Sequence, residues 1–128
     1  ITKLGSILRH SAIVVNMFST LNIESSIFDT PTINVNFQAP TTSVQGYKQA
    51  RFDIAADARQ THNLRVTEYQ ATVVANEPAD LEKLLIKSIH NPQDNSIGRK
   101  KLVESECSAH LGNAAKHIGE LMSKLVKA

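Results

Sequence analysis

The chain has one cysteine in 128 residues, no tryptophan and few aromatic side chains of any kind. A single cysteine cannot form an internal disulfide, which excludes a small secreted fold held by bridges and favours an intracellular, cytoplasmic setting. A core without many aromatic rings has to be built from Ile, Leu, Val and Ala. Lys3, Arg9 and His10 interrupt the apolar N-terminal stretch, so we expect no membrane span and no membrane partner.

An excess of charge of one sign is also missing. The 14 basic and 12 acidic side chains leave a net charge of +2, which is too small to attract nucleic acid or anionic lipid by itself. The sequence has no glycine-rich phosphate loop, no Gly-x-Ser-x-Gly, no His-Glu-x-x-His and no Cys-x-x-Cys. We therefore expect a protein that is not an enzyme and has no catalytic residue, cofactor or metal.

The first part of the chain carries two competing patterns. Apolar residues at helical spacing run through residues 4–21, whereas the three consecutive β-branched residues at 13–15 favour a strand. We predict a helix here, with a strand around Val14 as the alternative.

The middle of the chain alternates between apolar and polar residues. Residues 32–38 place Ile33, Val35 and Phe37 on one face, which predicts a half-buried strand. Residues 47–56 resume the alternation after a Pro- and Gly-containing turn, and residues 64–75 form a third predicted strand whose inward positions change parity, as at a bulge. Three consecutive strands predict an antiparallel meander.

A helix is predicted after the third strand, with Asn76 as N-cap, Pro78 in the first turn and Pro92 as the stop. The predicted fold class is therefore α+β: a three-stranded antiparallel meander packed against helices, with a long C-terminal helix. One domain covers residues 1–128, with helix, meander and helix in 1–95 and the long helix in 96–128.

The C-terminal third holds the clearest pattern. An apolar stripe at spacings of three and four is formed by Val103, Cys107, Leu111, Ala114, Ile118, Leu121 and Leu125. A second strip of small residues follows the same helix, formed by Ser108, Gly112, Ala115, Gly119 and Ser123. A rod of this length spans about 45 Å, more than a small sheet needs as cover. The predicted interface consists of Val103, Cys107, Leu111, Gly112, Ala115, Ile118, Gly119 and Met122.

This helix leads to the functional prediction. An apolar seam beside a strip of small residues is typical of a helix that packs on a partner, so we predict a non-catalytic protein–protein interaction or assembly module. Self-association as a homodimer fits this pattern, as does a structural component of a viral or nucleoprotein particle.

RNA or DNA binding is the alternative function. Three basic residues stand in the first turn of the predicted long helix: Arg99, Lys100 and Lys101. The helix macrodipole disfavours positive charge there and favours the binding of an anion. Lys116 and Lys124 follow on the same helix as further candidate phosphate contacts. The simpler interpretation is that these are solvated side chains, or that they pair with nearby carboxylates.

Two other groups of residues have spacings that could serve chemistry. Glu106, Cys107 and His110 have spacings that two metal ligands could use on a helix, but no second cluster supplies the remaining ligands, so no metal site is predicted. Asp53, Asp57, Arg59 and His62 surround the second predicted hairpin turn, where a cleft could use them as acid and base. The better interpretation is that these four are ordinary exposed residues of a turn and do not form an acid–base site.

Overall fold

The structure is a computed structural model and describes residues 3–37, 54–107 and 109–126, without the side chains of Ala55 and His62. Its helices and strands, in chain order, are α1 (Lys3–His10), β1 (Val14–Asn16), α2 (Leu21–Ile27), β2 (Thr32–Val35), α3 (Ile54–Ala58), α4 (Thr61–Glu68), β3 (Val73–Ala75), α5 (Pro78–His90), α6 (Ser96–Glu106) and α7 (Ala114–Val126).

The three strands form one parallel sheet in the order β1-β2-β3. Val14 pairs with Thr32, and Ile33 pairs with Val73. The predicted antiparallel meander and the α+β class are therefore wrong, and the fold is α/β. Helices lie between consecutive strands: α2 between β1 and β2, and α3 and α4 between β2 and β3. Through such crossovers the chain returns to the edge at which the previous strand began, so the next strand runs parallel to it.

Two of the three predicted strands were misplaced. The segment predicted as the third strand, residues 64–75, contains the end of α4 and then β3, which explains the apparent change of parity. The segment predicted as the second strand, residues 47–56, reaches into α3, and its part up to residue 53 lies outside the described residues. The short helices α3 and α4 thus occupy parts of both predicted strands.

Strand β2 begins where predicted but is not half-buried. Thr32, Ile33 and Asn34 are all buried, as is usual for a parallel strand covered on both faces. The polar residues that suggested a solvent-facing side are hydrogen-bonded inside the fold: the Thr32 and Ser25 hydroxyl oxygens lie 2.7 Å apart, and Asn34 Nδ2 donates to Thr72 Oγ1 at 2.8 Å.

The N-terminal segment contains both of the competing elements. Helix α1 ends at His10, where the Ser11 N–H and hydroxyl turn back to the carbonyls of Leu8 and Ile7. Strand β1 then takes up Val14–Asn16. The prediction of one helix over residues 4–21 is wrong beyond residue 10, and the strand alternative holds for residues 14–16.

The C-terminal region contains two helices. The predicted helix after Asn76 is confirmed as α5, with Glu77 and not Asn76 as its N-cap. The single long helix is wrong because α6 ends at Glu106 and α7 begins at Ala114. Cys107 is extended, and Gly112 has a φ of 81°, a left-handed value that favours glycine. The apolar repeat predicted over residues 103–125 therefore runs across a turn between two helices and does not mark one continuous helix.

The core lies between α2, α4 and α6. Val66, Ala71 and Leu102 form a buried cluster, with Ile23 and Tyr69 packed against it. Helix α5 covers β2 and β3. In the described ranges, no helix is long and apolar enough to cross a membrane.

Candidate functional site

The three parallel strands end at the same edge of the sheet, here called the carboxyl edge. It is formed by Asn16 at the end of β1 and residues 17–20 after it, by residues 36–37 after β2 and by residues 76–77 after β3. In open α/β sheets, ligands bind beyond the carboxyl ends of the strands at the point where the strand order reverses, and the order β1-β2-β3 has no such reversal. The carboxyl edge, which the predicted meander does not have, is therefore a candidate site on its own side-chain geometry.

Phe18 adopts an unusual backbone conformation at this edge. Its φ is 50°, a left-handed value that costs a bulky residue on the order of 1–2 kcal/mol. Two asparagines hold its peptide groups: the Phe18 N–H donates to Asn34 Oδ1 at 3.1 Å, and the Phe18 carbonyl accepts from Asn63 Nδ2 at 3.2 Å. The loop of residues 17–20, here called the β1–α2 loop, is thus fixed by side chains from β2 and α4.

A third asparagine holds the next peptide. Asn16 Oδ1 accepts the Ser19 N–H at 3.2 Å, and Asn16 Nδ2 donates to Asn22 Oδ1 at 3.0 Å. The ends of β2 and β3 are joined in the same way, since Asn36 Nδ2 donates to Asn76 Oδ1 at 2.9 Å. Side-chain amides therefore connect all three strand ends.

Two buried amide atoms of this network lack a partner. Asn22 Nδ2 and Asn63 Oδ1 have no hydrogen-bond partner among the described residues. Both side chains are almost fully buried, and leaving such a group unsatisfied costs about 1–3 kcal/mol. Ordered water commonly satisfies groups of this kind. The network thus keeps a polar interior beneath the β1–α2 loop.

The acid–base group expected at a hairpin turn is placed elsewhere. Asp57 lies on α3, where its Oδ1 accepts a hydrogen bond from Gln60 Nε2 at 3.0 Å, and Arg59 follows that helix. His62 lies on α4, and Asp53 is outside the described residues. The Asp57 carbonyl accepts from Asn63 Nδ2 at 2.8 Å, so this segment supports the asparagine network.

The predicted interface is divided between two helices. Val103 and Cys107 lie half-buried at the end of α6, Leu111 and Gly112 lie in the connection, and Ala115, Ile118, Gly119 and Met122 lie on α7. No residue of α7 is buried. Exposed apolar side chains in and just before α7 are those of Leu111, Ile118, Leu121, Met122, Leu125 and Val126. A Cβ added at Gly119 would meet nothing within 4 Å. We call this exposed apolar side the α7 face.

The five predicted phosphate contacts are not gathered in one place. Arg99 is buried, with Nε donating to Asp29 Oδ1 at 2.7 Å and Nη2 donating to the Pro92 carbonyl at 2.8 Å. Lys100 and Lys101 are exposed on α6, and Lys116 and Lys124 are exposed on α7. The guanidinium of Arg99 would have to leave Asp29 to contact an external anion.

Cys107 is the one cysteine of the chain. Burial raises the pKa of its thiol, and the neighbouring Glu106 carboxylate raises it further. A raised pKa lowers the thiolate fraction and so disfavours both nucleophilic attack and metal binding. Within residues 3–37, 54–107 and 109–126, no group of three His, Cys, Asp or Glu side chains is arranged to hold a metal ion.

Sequence reasoning missed Phe18, Asn34 and Asn63. The number of asparagines beside apolar runs could have indicated them. Asparagine is uncommon in strands and in protein interiors, so its presence there indicates specific hydrogen bonds. Comparison with known proteins gives no match to a family model, a curated protein or a solved structure. Function is therefore inferred from the geometry alone.

Proposed function

We propose that the chain binds a small polar ligand at the carboxyl edge, with the β1–α2 loop as its main contact. The observation that carries this proposal is the left-handed Phe18, whose N–H and carbonyl are held by Asn34 and Asn63. A strained backbone persists only where its surroundings enforce it, and such strain concentrates at ligand sites.

The residues at this edge define the chemistry of the ligand. Ser19 and Thr20 supply hydroxyl groups, and Asn36 and Asn76 supply amides. These groups donate and accept hydrogen bonds without net charge, and Met17 adds a half-exposed apolar side chain. Glu77, at the same edge, adds an exposed negative charge that repels phosphate, so hydroxyl-bearing small molecules fit this combination best.

An NMR titration tests ligand binding. Inorganic phosphate, AMP and glucose, added separately at millimolar concentrations, probe phosphate, nucleotide and sugar chemistry. We expect at least one of them to shift the amide signals of residues 16–20 in a saturable manner. The Ser19→Ala variant should bind roughly fivefold more weakly, the loss of about one hydrogen bond.

Ser11→Ala is the matched control. The Ser11 hydroxyl donates to the Ile7 carbonyl at 2.7 Å, and Ser11 precedes β1, so it belongs to the opposite edge of the sheet. Its removal should leave the affinity unchanged. Amide shifts scattered over the surface, or equal losses in the two serine variants, would contradict a site at the carboxyl edge.

A second function, protein association, is favoured by the exposure of α7. Ile118 is 56% exposed and Leu121 is 49% exposed, although both lie on the apolar side of a helix. Fully burying an exposed side chain of this kind stabilises a complex by about 1.5–3 kcal/mol. Covering the α7 face with a partner is therefore favourable. The proposed partner is a second copy of the chain in a non-catalytic, intracellular assembly.

Sedimentation of the full chain at increasing concentration tests association. We expect a dimer at high micromolar concentration, and we expect Ile118→Glu to weaken it by about tenfold or more. Ile97→Glu is the control, because Ile97 is also an exposed isoleucine, 76% accessible on α6, and is not part of the α7 face. A wild-type chain that stays monomeric, or equal effects of both variants, would rule out self-association through α7.

A further inference from the structure

Helix α7 has little contact with the rest of the fold. None of its residues is buried, and among the described residues it packs extensively against no other helix or strand. Helix α5 is a useful comparison, because it also has 13 residues and no buried residue, yet it packs against β2 and β3. Packing against the sheet thus stabilises α5 as a helix, whereas the conformation of α7 depends mainly on its own sequence.

The sequence of α7 is too short to form a stable helix by itself. A helix of 13 residues lies in the range where isolated helices are marginal in water, because the first turn is costly to form and few residues follow it. Gly119 lies near the middle of α7 and lowers the helix–coil equilibrium about fivefold relative to alanine. Without a partner, helix and open chain should therefore have comparable populations in α7.

The α7 face has the chemistry of a surface that fits a copy of itself. Its side chains are all apolar, and the charged residues Lys116, Glu120 and Lys124 follow at spacings of four in a separate row of the helix. A face without charge offers no ion pair to a charged partner, whereas an apolar patch is complementary to itself across a two-fold axis. Each copy carries a net charge of only +2, so the repulsion between copies is weak. A second copy of the chain is therefore the occupant that fits this face best.

We propose that α7 folds as it docks: the helix is partly open in the single chain and becomes stable when two α7 faces cover each other. This inference rests on the proposed association through α7 and adds its mechanism. Only the helical form presents Ile118 and Leu121 on one side, so the apparent dissociation constant is raised in proportion as the helical fraction of α7 falls. Residues that never touch the partner then control dimerisation through their helix propensity.

Amide hydrogen exchange of the full chain, measured from low to high micromolar concentration, tests this coupling. In the monomer, we expect residues 118–126 to be protected less than about tenfold, and residues 82–90 of α5 to be protected about a hundredfold or more. Protection in α7 should rise with the dimer fraction determined by sedimentation, while protection in α5 stays constant.

Failure of the coupling and failure of the association give different results. Equal protection of α5 and α7 in the monomer would overturn the coupling and leave the association intact. A chain that stays monomeric at every concentration would contradict the association itself, and with it the docking of α7.

Two variants of Glu120 change helix propensity away from the α7 face. Glu120 is exposed and lies two positions from Ile118 and from Met122, so it does not face the same side of the helix. Glu120→Ala and Glu120→Gly remove the same charge but differ about fivefold in helix propensity. Because two copies of α7 fold in each dimer, the dimer of Glu120→Gly should be about tenfold weaker than that of Glu120→Ala.

Lys83→Ala and Lys83→Gly are the matched control pair, since Lys83 is exposed in the middle of α5. Helix α5 is formed in the monomer and in the dimer alike, so this pair should differ in melting temperature and not in dimer affinity. Equal dimer affinities of the two Glu120 variants, or a similar difference between the two Lys83 variants, would overturn the proposal.

Discussion

Gly98→Ala is expected to lower the melting temperature by about 10 °C. Gly98 lies in the first turn of α6, and a Cβ built on it would stand 2.3 Å from the Tyr69 carbonyl oxygen and 2.4 Å from that of Gln70. Both neighbours are backbone atoms, which cannot rotate away as a side chain could. Helix α6 would have to move off the end of α4 and disturb the cluster around Leu102.

The size of this effect follows from two opposing contributions. Overpacking against a rigid backbone costs about 3 kcal/mol or more, whereas replacing glycine by alanine inside a helix returns about 1 kcal/mol. The net loss of about 2–3 kcal/mol corresponds to the expected fall in melting temperature for a domain of this size. Thermal unfolding followed by circular dichroism measures it.

Gly119→Ala provides the matched control, because the same substitution there is made in open space. It removes the helix-weakening effect of glycine in α7 and adds no clash, so it should leave the melting temperature unchanged or slightly raised. Equal losses in the two alanine variants would show that glycine is required at both positions for a reason other than close packing.

Gly98 also shows what the sequence could not reveal. The sequence places Gly98 beside a basic cluster and so suggests an anion site at a helix start, but the two carbonyls that require glycine are 28 and 29 residues earlier in the chain. Local pattern predicts helices such as α5, because proline and apolar periodicity act within the helix itself. Contacts between distant segments carry no local signature.

The sheet was mispredicted for a related reason. Strands β1 and β3 have three residues each, too short for a periodicity to be recognised. In β2 the polar positions Thr32 and Asn34 imitate a solvent-facing side, although both are buried and hydrogen-bonded within the fold. The direction of the strands depends on the helices between them, and the predicted strands over residues 47–56 and 64–75 overlap α3 and α4.

The candidate sites were predictable to different degrees. The apolar side of α7 was visible as a stripe including Ile118 and Leu121, since an exposed helix keeps its periodicity. The break before α7 was not, because the stripe continues across the turn at Gly112. The carboxyl edge could not be foreseen at all, since it exists only if the strands are parallel.

Asp29→Asn is expected to reduce the free energy of unfolding by about 2–3 kcal/mol. Arg99 is 2% exposed, and its guanidinium is neutralised by Asp29 alone among the described ion pairs. Asn keeps one side-chain oxygen for the Arg99 hydrogen bond and tolerates the left-handed φ of 55° at this position, so the substitution removes the charge and the second oxygen, which accepts from Ser96. It leaves a buried cation without its counter-charge, which is the costly half of a broken pair.

Urea unfolding at neutral pH measures this loss, and two further variants assign its cause. Lys87→Met removes an ion pair whose side chains are 62% and 49% exposed, and it should cost less than about 0.5 kcal/mol. Adding Arg99→Met to Asp29→Asn should cost no more than Asp29→Asn alone, because the stranded charge is gone.

Equal costs for Asp29→Asn and Lys87→Met would contradict a buried structural pair. Such a result would leave the Arg99 guanidinium available to an external anion, together with Lys100 and Lys101 beside it on α6. The expected result would instead show that Arg99 links α6 to the turn between α2 and β2 through its bond to Asp29. The Ser96 hydroxyl strengthens this link by donating to Asp29 Oδ2 at 2.8 Å. The measurement of stability thus tests whether the Arg99 guanidinium is held by the fold.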